Sequence, residues 1–171
     1  MHHLTPEALK LVLAQPDRTR RMGRRDATLL ATLYDTGARV QELVDLRVRD
    51  VRLDAPAIIS LTGKGNKVRH VPLMAPTAAL IQHYMAEWRL GPNGTQDWPL
   101  FTNSRRQPLT RAGVAFILDK YTQRARAQSA IVPEHVTPHA IRHYGEYRQM
   151  GSAGRKRRVH ASSPSNTPHN L

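Results

Sequence analysis

Between Asp50 and Leu73 the hydrophobic pattern of this chain changes period, and that change constrains the fold more than any other feature of the sequence. On either side, apolar residues recur at helical spacing. Inside, the runs VRL, AIISL and KVRHVPL are short and rich in β-branched residues, and Gly63-Lys64-Gly65-Asn66 between the last two is turn chemistry. The pattern predicts two or three short antiparallel strands, with Lys64 in a tight turn, set into an otherwise helical chain.

The flanking helices carry their own start and stop signals. Thr5 is a candidate N-cap with Pro6 at the first helical position, and Leu9, Val12 and Leu13 follow at helical spacing. The stretch Asp17 to Arg25 holds five Arg and a Gly, after which Leu29, Leu30, Leu33 and Tyr34 mark one face of a helix that Gly37 stops. Val40, Leu43 and Val44 form the next stripe, so Arg39 starts a helix, with Glu42 and Asp45 between the apolar positions. Helical spacing returns from Thr77 to Trp88, and Thr110 caps a further helix that turns Val114, Ile117, Leu118 and Tyr121 inward. Thr137-Pro138 repeats the cap-plus-proline signal and puts His139 and Arg142 in the first turn of a last helix. The fold class is α+β, mostly helical.

Composition narrows the function. At 171 residues and 40% hydrophobic, the chain can bury one core and reads as one domain. Without cysteine it cannot be a disulfide-stapled scaffold, a zinc ribbon or an iron–sulfur protein. No run approaches the roughly 18 apolar residues that a membrane span needs. Glu7 and Lys10 interrupt the N-terminal apolar run, so it does not read as a signal peptide, and the expected location is cytoplasmic. A net charge of +13 and a pI near 11.2 attract polyanions, of which nucleic acid is the most abundant in the cytoplasm. Only 5% of residues are aromatic, which counts against RNA recognition by stacking.

The charge is not confined to one end. From 145 to 171 the only aliphatic residues larger than alanine, methionine aside, are Val159 and Leu171, and no period can be laid on the segment. The expected organisation is a domain over 1–144 and a basic, disordered tail over 145–171. The tail holds five cations against Glu146 and so carries four of the net positive charges, leaving +9 on the domain.

Three cationic segments can carry chemistry: Arg39 in TGARVQEL, Lys64 in TGKGNKVRHVPL, and the pair His139 and Arg142 in TPHAIRH. Residues three apart on a helix share a face, so His139 and Arg142 can address one target. Two guanidiniums, an ammonium and an imidazole would suit a phosphate. Singly, each has a plainer reading: a lone Arg in a helix is usually solvated, and GKGNK lacks the spacing and the trailing Ser/Thr of a P-loop.

Together and in this order, the segments resemble the catalytic domain of the tyrosine recombinases, also called phage integrases. The family's patterns TGxRxxEL, GKGxKxRxVPL and TPHxLRH are matched at Thr36–Leu43, Gly63–Leu73 and Thr137–His143, and the resemblance covers about residues 5 to 144. It implies a mostly helical catalytic domain with a small antiparallel three-stranded sheet. It also implies double-stranded DNA and other recombinase protomers as partners, no metal or other cofactor, and no small-molecule substrate. By the same resemblance, Arg39 and Arg142 would clamp the scissile phosphate, Lys64 would protonate the leaving 5′-oxygen, and His139 would assist proton transfer or hydrogen-bond the phosphate. Glu42 would hold the Arg39 guanidinium, or else form an ordinary surface pair.

The sequence departs from the family at both ends. The family's nucleophilic Tyr lies about thirty residues beyond the second Arg, after an LGH segment. That position falls just past Leu171, and neither LGH nor any Tyr follows Tyr147. Tyr144 and Tyr147 stand too close to Arg142 to span the site, Tyr144 reads as core, and His160 and His169 lack apolar support. The expectation is a domain whose last helices are replaced by an unrelated tail, through a frameshift near codon 144. Such a fragment would be weakly stable and would expose apolar surface at Leu118 or Ile141. It would also lack the smaller helical domain that usually precedes this one. Three functions stay open: a recombinase-family domain that binds DNA without cutting it, a non-catalytic basic module that modulates a full-length recombinase, and a partner that receives its Tyr in trans.

Overall fold

Threonine side chains cap several of the helix starts in the computed structural model of the chain, which describes residues 3–159. Helix α1, Pro6–Leu13, starts where the Thr5 hydroxyl accepts a hydrogen bond from the Ala8 amide at 3.1 Å, and it buries Ala8, Leu9 and Val12. Helix α2, Arg21–Thr36, begins inside the arginine-rich stretch rather than after it. Gly23 allows this, because a Cβ there would stand 1.8 Å from the Asp17 carbonyl oxygen. Gly37 ends α2 in the left-handed region, at φ 63°. Helix α3, Val40–Val44, follows at once and leads through a 3₁₀ turn into the sheet.

The sheet has three antiparallel strands in the order β1-β2-β3: Val51–Arg52, Ile58–Thr62 and Val68–Pro72. Ile59 stands opposite Val51 on one side and Val71 on the other, and Leu61 stands opposite Arg69. Ile59, Leu61 and Val71 are buried, so one face of the sheet meets the helices. Lys64–Asn66 form the turn between β2 and β3, with the Gly63 amide donating to the Lys67 carbonyl at 2.8 Å. Gly65 and Asn66 both take positive φ there, residues that tolerate the left-handed conformation. Helices α4, Ala75–Glu87, and α5, Arg111–Gln128, come next, and the Thr110 hydroxyl caps α5 by accepting from the Gly113 amide.

Helix α2 runs between α4 and α6, and α5 packs on α1, α3 and α6. A buried polar cluster ties α2 to α5. Asp26, 1% exposed, accepts from Arg25 at 2.7 and 2.9 Å, from the Tyr121 hydroxyl at 2.5 Å and from Lys120 at 3.4 Å. At the edge of α2, Arg24 binds Glu87 of α4 through two hydrogen bonds, which hold that carboxyl below its ordinary range.

Helix α6, Pro138–Val159, differs most from the sequence expectation. It passes unbroken through the boundary placed at residue 144, and Gly145 is buried. A Cβ on Gly145 would lie 2.3 Å from the Tyr34 carbonyl oxygen and 2.8 Å from the Gly37 Cα. Gln149 also donates to the Asp35 carbonyl at 2.7 Å. The lack of large aliphatic side chains is what makes the segment read as disordered. It docks through glycine and a polar anchor instead, and the helix continues past the boundary drawn at residue 144. His160 and His169 lie outside the described residues. Leu118 and Ile141, expected at the surface, are both fully buried beneath this packing. Tyr144 is partly buried against the core as expected, and its hydroxyl donates to the Leu4 carbonyl. Tyr147 and Met150, on the same helix, are exposed.

Candidate active site

Three separate elements deliver cations to one place. Arg39 sits at the N-cap of α3, two residues after the left-handed Gly37. Lys64 stands in the β2–β3 turn, and Arg142 projects from α6 where Gly145 presses that helix onto the end of α2. Arg39, Lys64, Lys67, Arg69, Glu42 and Arg142 line an open depression of about 530 Å³. The first four are exposed, whereas the Arg142 side chain is 15% exposed and that of Glu42 only 7%. The depression is a cationic rim around one sunken carboxylate. A rim of this kind suits an anion too large to enter a closed pocket, with guanidiniums able to grip two oxygens at once.

Glu42 organises the floor. One of its oxygens, Oε1, accepts from the Arg39 backbone amide and from the Arg69 guanidinium, both at 2.8 Å. The other, Oε2, would lie 3.4 Å from a Cβ on Gly63, beside the turn that carries Lys64. The expectation that Glu42 holds the Arg39 guanidinium is therefore corrected: it holds the Arg39 backbone, and no ion pair joins the two side chains among the described residues. The reason is local, since a carboxylate at the third helical position reaches back to the N-cap amide. The Arg39 side chain is left to face the depression.

Arg142 makes an ion pair with Glu146, four residues on, at 2.7 Å, while its Nε is buried without an acceptor. His139 is exposed in the first turn of α6 and does not line the depression. The structure thus brings together Arg39, Lys64, Arg142 and Glu42 from the sequence candidates, and leaves His139 outside that lining. Lys67 and Arg69 were missed. Strand alternation could have found Arg69, because it shares a face with the buried Val71 and stands opposite the buried Leu61. An arginine on the inward face of a strand calls for an acidic partner.

No tyrosine lines the depression. Tyr84 and Tyr121 are buried. Burial pushes Tyr84 up to about 12, and burial together with the hydrogen bond to Asp26 pushes Tyr121 up as well. Tyr34 and Tyr144 are half-buried, and Tyr147 is 77% exposed. Among the described residues no group of His, Asp and Glu side chains could hold a metal ion, and no helix is long and apolar enough to cross a membrane.

The model of the phage integrase family matches residues 2–149. The chain belongs to the phage integrase family. A relative of this chain, the tyrosine recombinase XerC of Pelobacter propionicus, is 37% identical over 141 residues, which cover 82% of this chain and 44% of the relative. The crystal structure of the XerA recombinase matches 89% of the chain and 50% of its own with a TM-score of 0.70 at 24% identity, a likeness of fold. The XerH site-specific recombinase, solved as a pre-cleavage complex bound to its difH substrate, matches 90% of the chain and 44% of its own with a TM-score of 0.66 at 25% identity. The chain spans half or less of the length of each. Its mostly helical fold with a three-stranded antiparallel sheet is that of tyrosine recombinase catalytic domains.

Proposed function

We propose that this chain carries the phosphate-gripping and proton-donating part of a DNA strand-exchange site of the tyrosine recombinase type. The observation that supports it is the convergence of Arg39, Lys64 and Arg142, from three elements, on one depression. When a tyrosine oxygen attacks a phosphodiester, charge builds on the non-bridging oxygens of the pentacoordinate transition state. Arg39 and Arg142 neutralise that charge from fixed positions. The bond from phosphorus to the 5′-oxygen breaks as the bond to the tyrosine oxygen forms, and Lys64 Nζ gives its proton to the departing 5′-oxygen. His139, at the exposed start of α6, hydrogen-bonds the phosphate or moves a proton. The partner is double-stranded DNA, met in the cytoplasm on the nucleoid, and its grip falls steeply with salt because phosphate contacts dominate.

The nucleophile has to come from a residue other than the tyrosines described, since none of them lines the depression. A recombinase protomer that offers its tyrosine in trans would complete the reaction. The same absence favours a second reading, in which the chain is a non-catalytic DNA-binding module that occupies the sites of a full-length recombinase. A duplex with a nick beside the scissile phosphate traps any covalent adduct and separates the two. Adduct formed only with a tyrosine-bearing protomer, and lost in Arg142→Ala, supports the strand-exchange role. Duplex binding with no adduct under any pairing supports the module. Arg39→Ala, Lys64→Ala and Arg142→Ala that all bind duplex as well as the parent would sink both.

A further inference from the structure

The guanidinium proposed to grip a phosphate already faces a carboxylate. Glu146 Oε1 lies 2.7 Å from a terminal nitrogen of Arg142, and the Arg142 side chain is only 15% exposed. The pair is a poor support for the helix, because the favourable order places the acid four residues before the base and here the order is reversed. Glu146 is also held from the opposite direction. Its backbone nitrogen and Cγ would lie 3.0 and 3.3 Å from a Cβ on Gly37, two residues before Arg39. It lines a second depression of about 460 Å³ that shares Arg69 with the first. The stem of Glu146 is thus packed against the seam while its side chain, 42% exposed, keeps the carboxylate beside the cationic site, and its partner Arg142 has a buried Nε–H without an acceptor.

We propose that Glu146 is a built-in competitor for the DNA phosphate, neutralising Arg142 in the free chain and weakening its grip on any duplex. This rests on the phosphate-binding role proposed for Arg142. A phosphate that reaches Arg142 must displace the carboxylate or bind beside it, and in either case one positive charge of the site is already compensated. A unit charge about 6 Å from a phosphate changes the affinity by about three-fold in a water-like dielectric and about a hundred-fold at the effective dielectric of a protein surface.

The test titrates the full chain with a short duplex of arbitrary sequence across a range of salt, followed by fluorescence anisotropy. Glu146→Gln, which keeps the size of the side chain against Gly37, should tighten binding within that range. It should also steepen the dependence of log affinity on log salt by close to one, the signature of one more phosphate neutralised. Glu146→Asp, which keeps the charge, should stay near the parent and so separates charge from packing. In the Arg142→Ala background Glu146→Gln should gain nothing, and Glu7→Gln on α1, which lines neither depression, reports the effect of merely losing one negative charge. Thermal melts of each variant confirm that it folds. No tightening, an equal gain without Arg142, or an equal gain from Glu7→Gln overturns the proposal. If Arg142→Ala and Lys64→Ala weaken duplex binding but Glu146→Gln does not tighten it, only this inference falls. If neither weakens it, the phosphate site falls as well.

Discussion

Replacing Glu42 with alanine removes one carboxylate oxygen on which two donors converge, and the structure assigns a separate weight to each. The bond to the Arg39 amide is a helix-capping bond, worth about 1 kcal/mol. The bond to Arg69 is charge-assisted, but the Arg69 side chain is 42% exposed and can turn to water, so about 1 to 2 kcal/mol is a fair weight. Together they give a loss of about 2 to 3 kcal/mol, or roughly 4 to 12 °C in melting temperature for a chain of this length. The informative experiment is a pair of double-mutant cycles read by urea or thermal unfolding. Glu42→Ala with Arg69→Ala should show a coupling of about 1 kcal/mol. Glu42→Ala with Arg39→Ala should show almost none, because alanine keeps the backbone amide that Glu42 binds. A coupling to Arg39 larger than the coupling to Arg69 would refute the account of the floor of the site and restore the side-chain pair expected from the sequence.

Other consequences follow from features away from the rim. Asp26→Ala leaves Arg25 buried without its acid and should destabilise by about 3 to 5 kcal/mol, lowering the melting temperature by roughly 6 to 20 °C; a shift no larger than that of an exposed aspartate such as Asp119→Ala would contradict it. Gly145→Ala drives a Cβ into the Tyr34 carbonyl and should cost about 1 to 3 kcal/mol, and it should also weaken duplex binding by displacing Arg142; unchanged melting and binding would show that α6 does not dock as described. Tyr84 and Tyr121 keep their protons in the fold at pH values where the unfolded chain loses them. The stability they contribute is complete below the ordinary tyrosine value near 10 and is lost as pH rises above it, with a slope that approaches about 1.4 kcal/mol per pH unit for each tyrosine. Urea unfolding between neutral pH and about pH 11 should show that decline, and Tyr84→Phe should make it shallower.

Much of the fold was legible because its signals are short-range. Thr5, Thr110 and Thr137-Pro138 mark helix starts with their own side chains or rings, and Gly63 to Asn66 announce a turn whatever surrounds them. What stayed hidden depends on pairs distant in the chain. Arg69 and Glu42 are 27 residues apart, and nothing in either segment names the other. Gly145 and Gly37 meet through the absence of side chains, which leaves no apolar stripe to count, so the helix beyond residue 144 reads as disorder. The same omission makes Leu118 and Ile141 look uncovered. Of the site, Arg39, Lys64 and Arg142 could be named one by one, whereas the sunken carboxylate beneath them and the acid beside Arg142 needed the folded chain.

The backbone approach of Gly145 to Gly37 has a consequence for how variation in this chain should be interpreted. A saturating mutational scan scored on duplex binding would mark both glycines as intolerant as the cations, although neither carries a group that could touch DNA. At Gly145 selection would act on the gap between two helices. A designer seeking to widen or retarget the rim therefore has freedom at Lys67, and almost none along the seam that spaces Arg142 from Arg39.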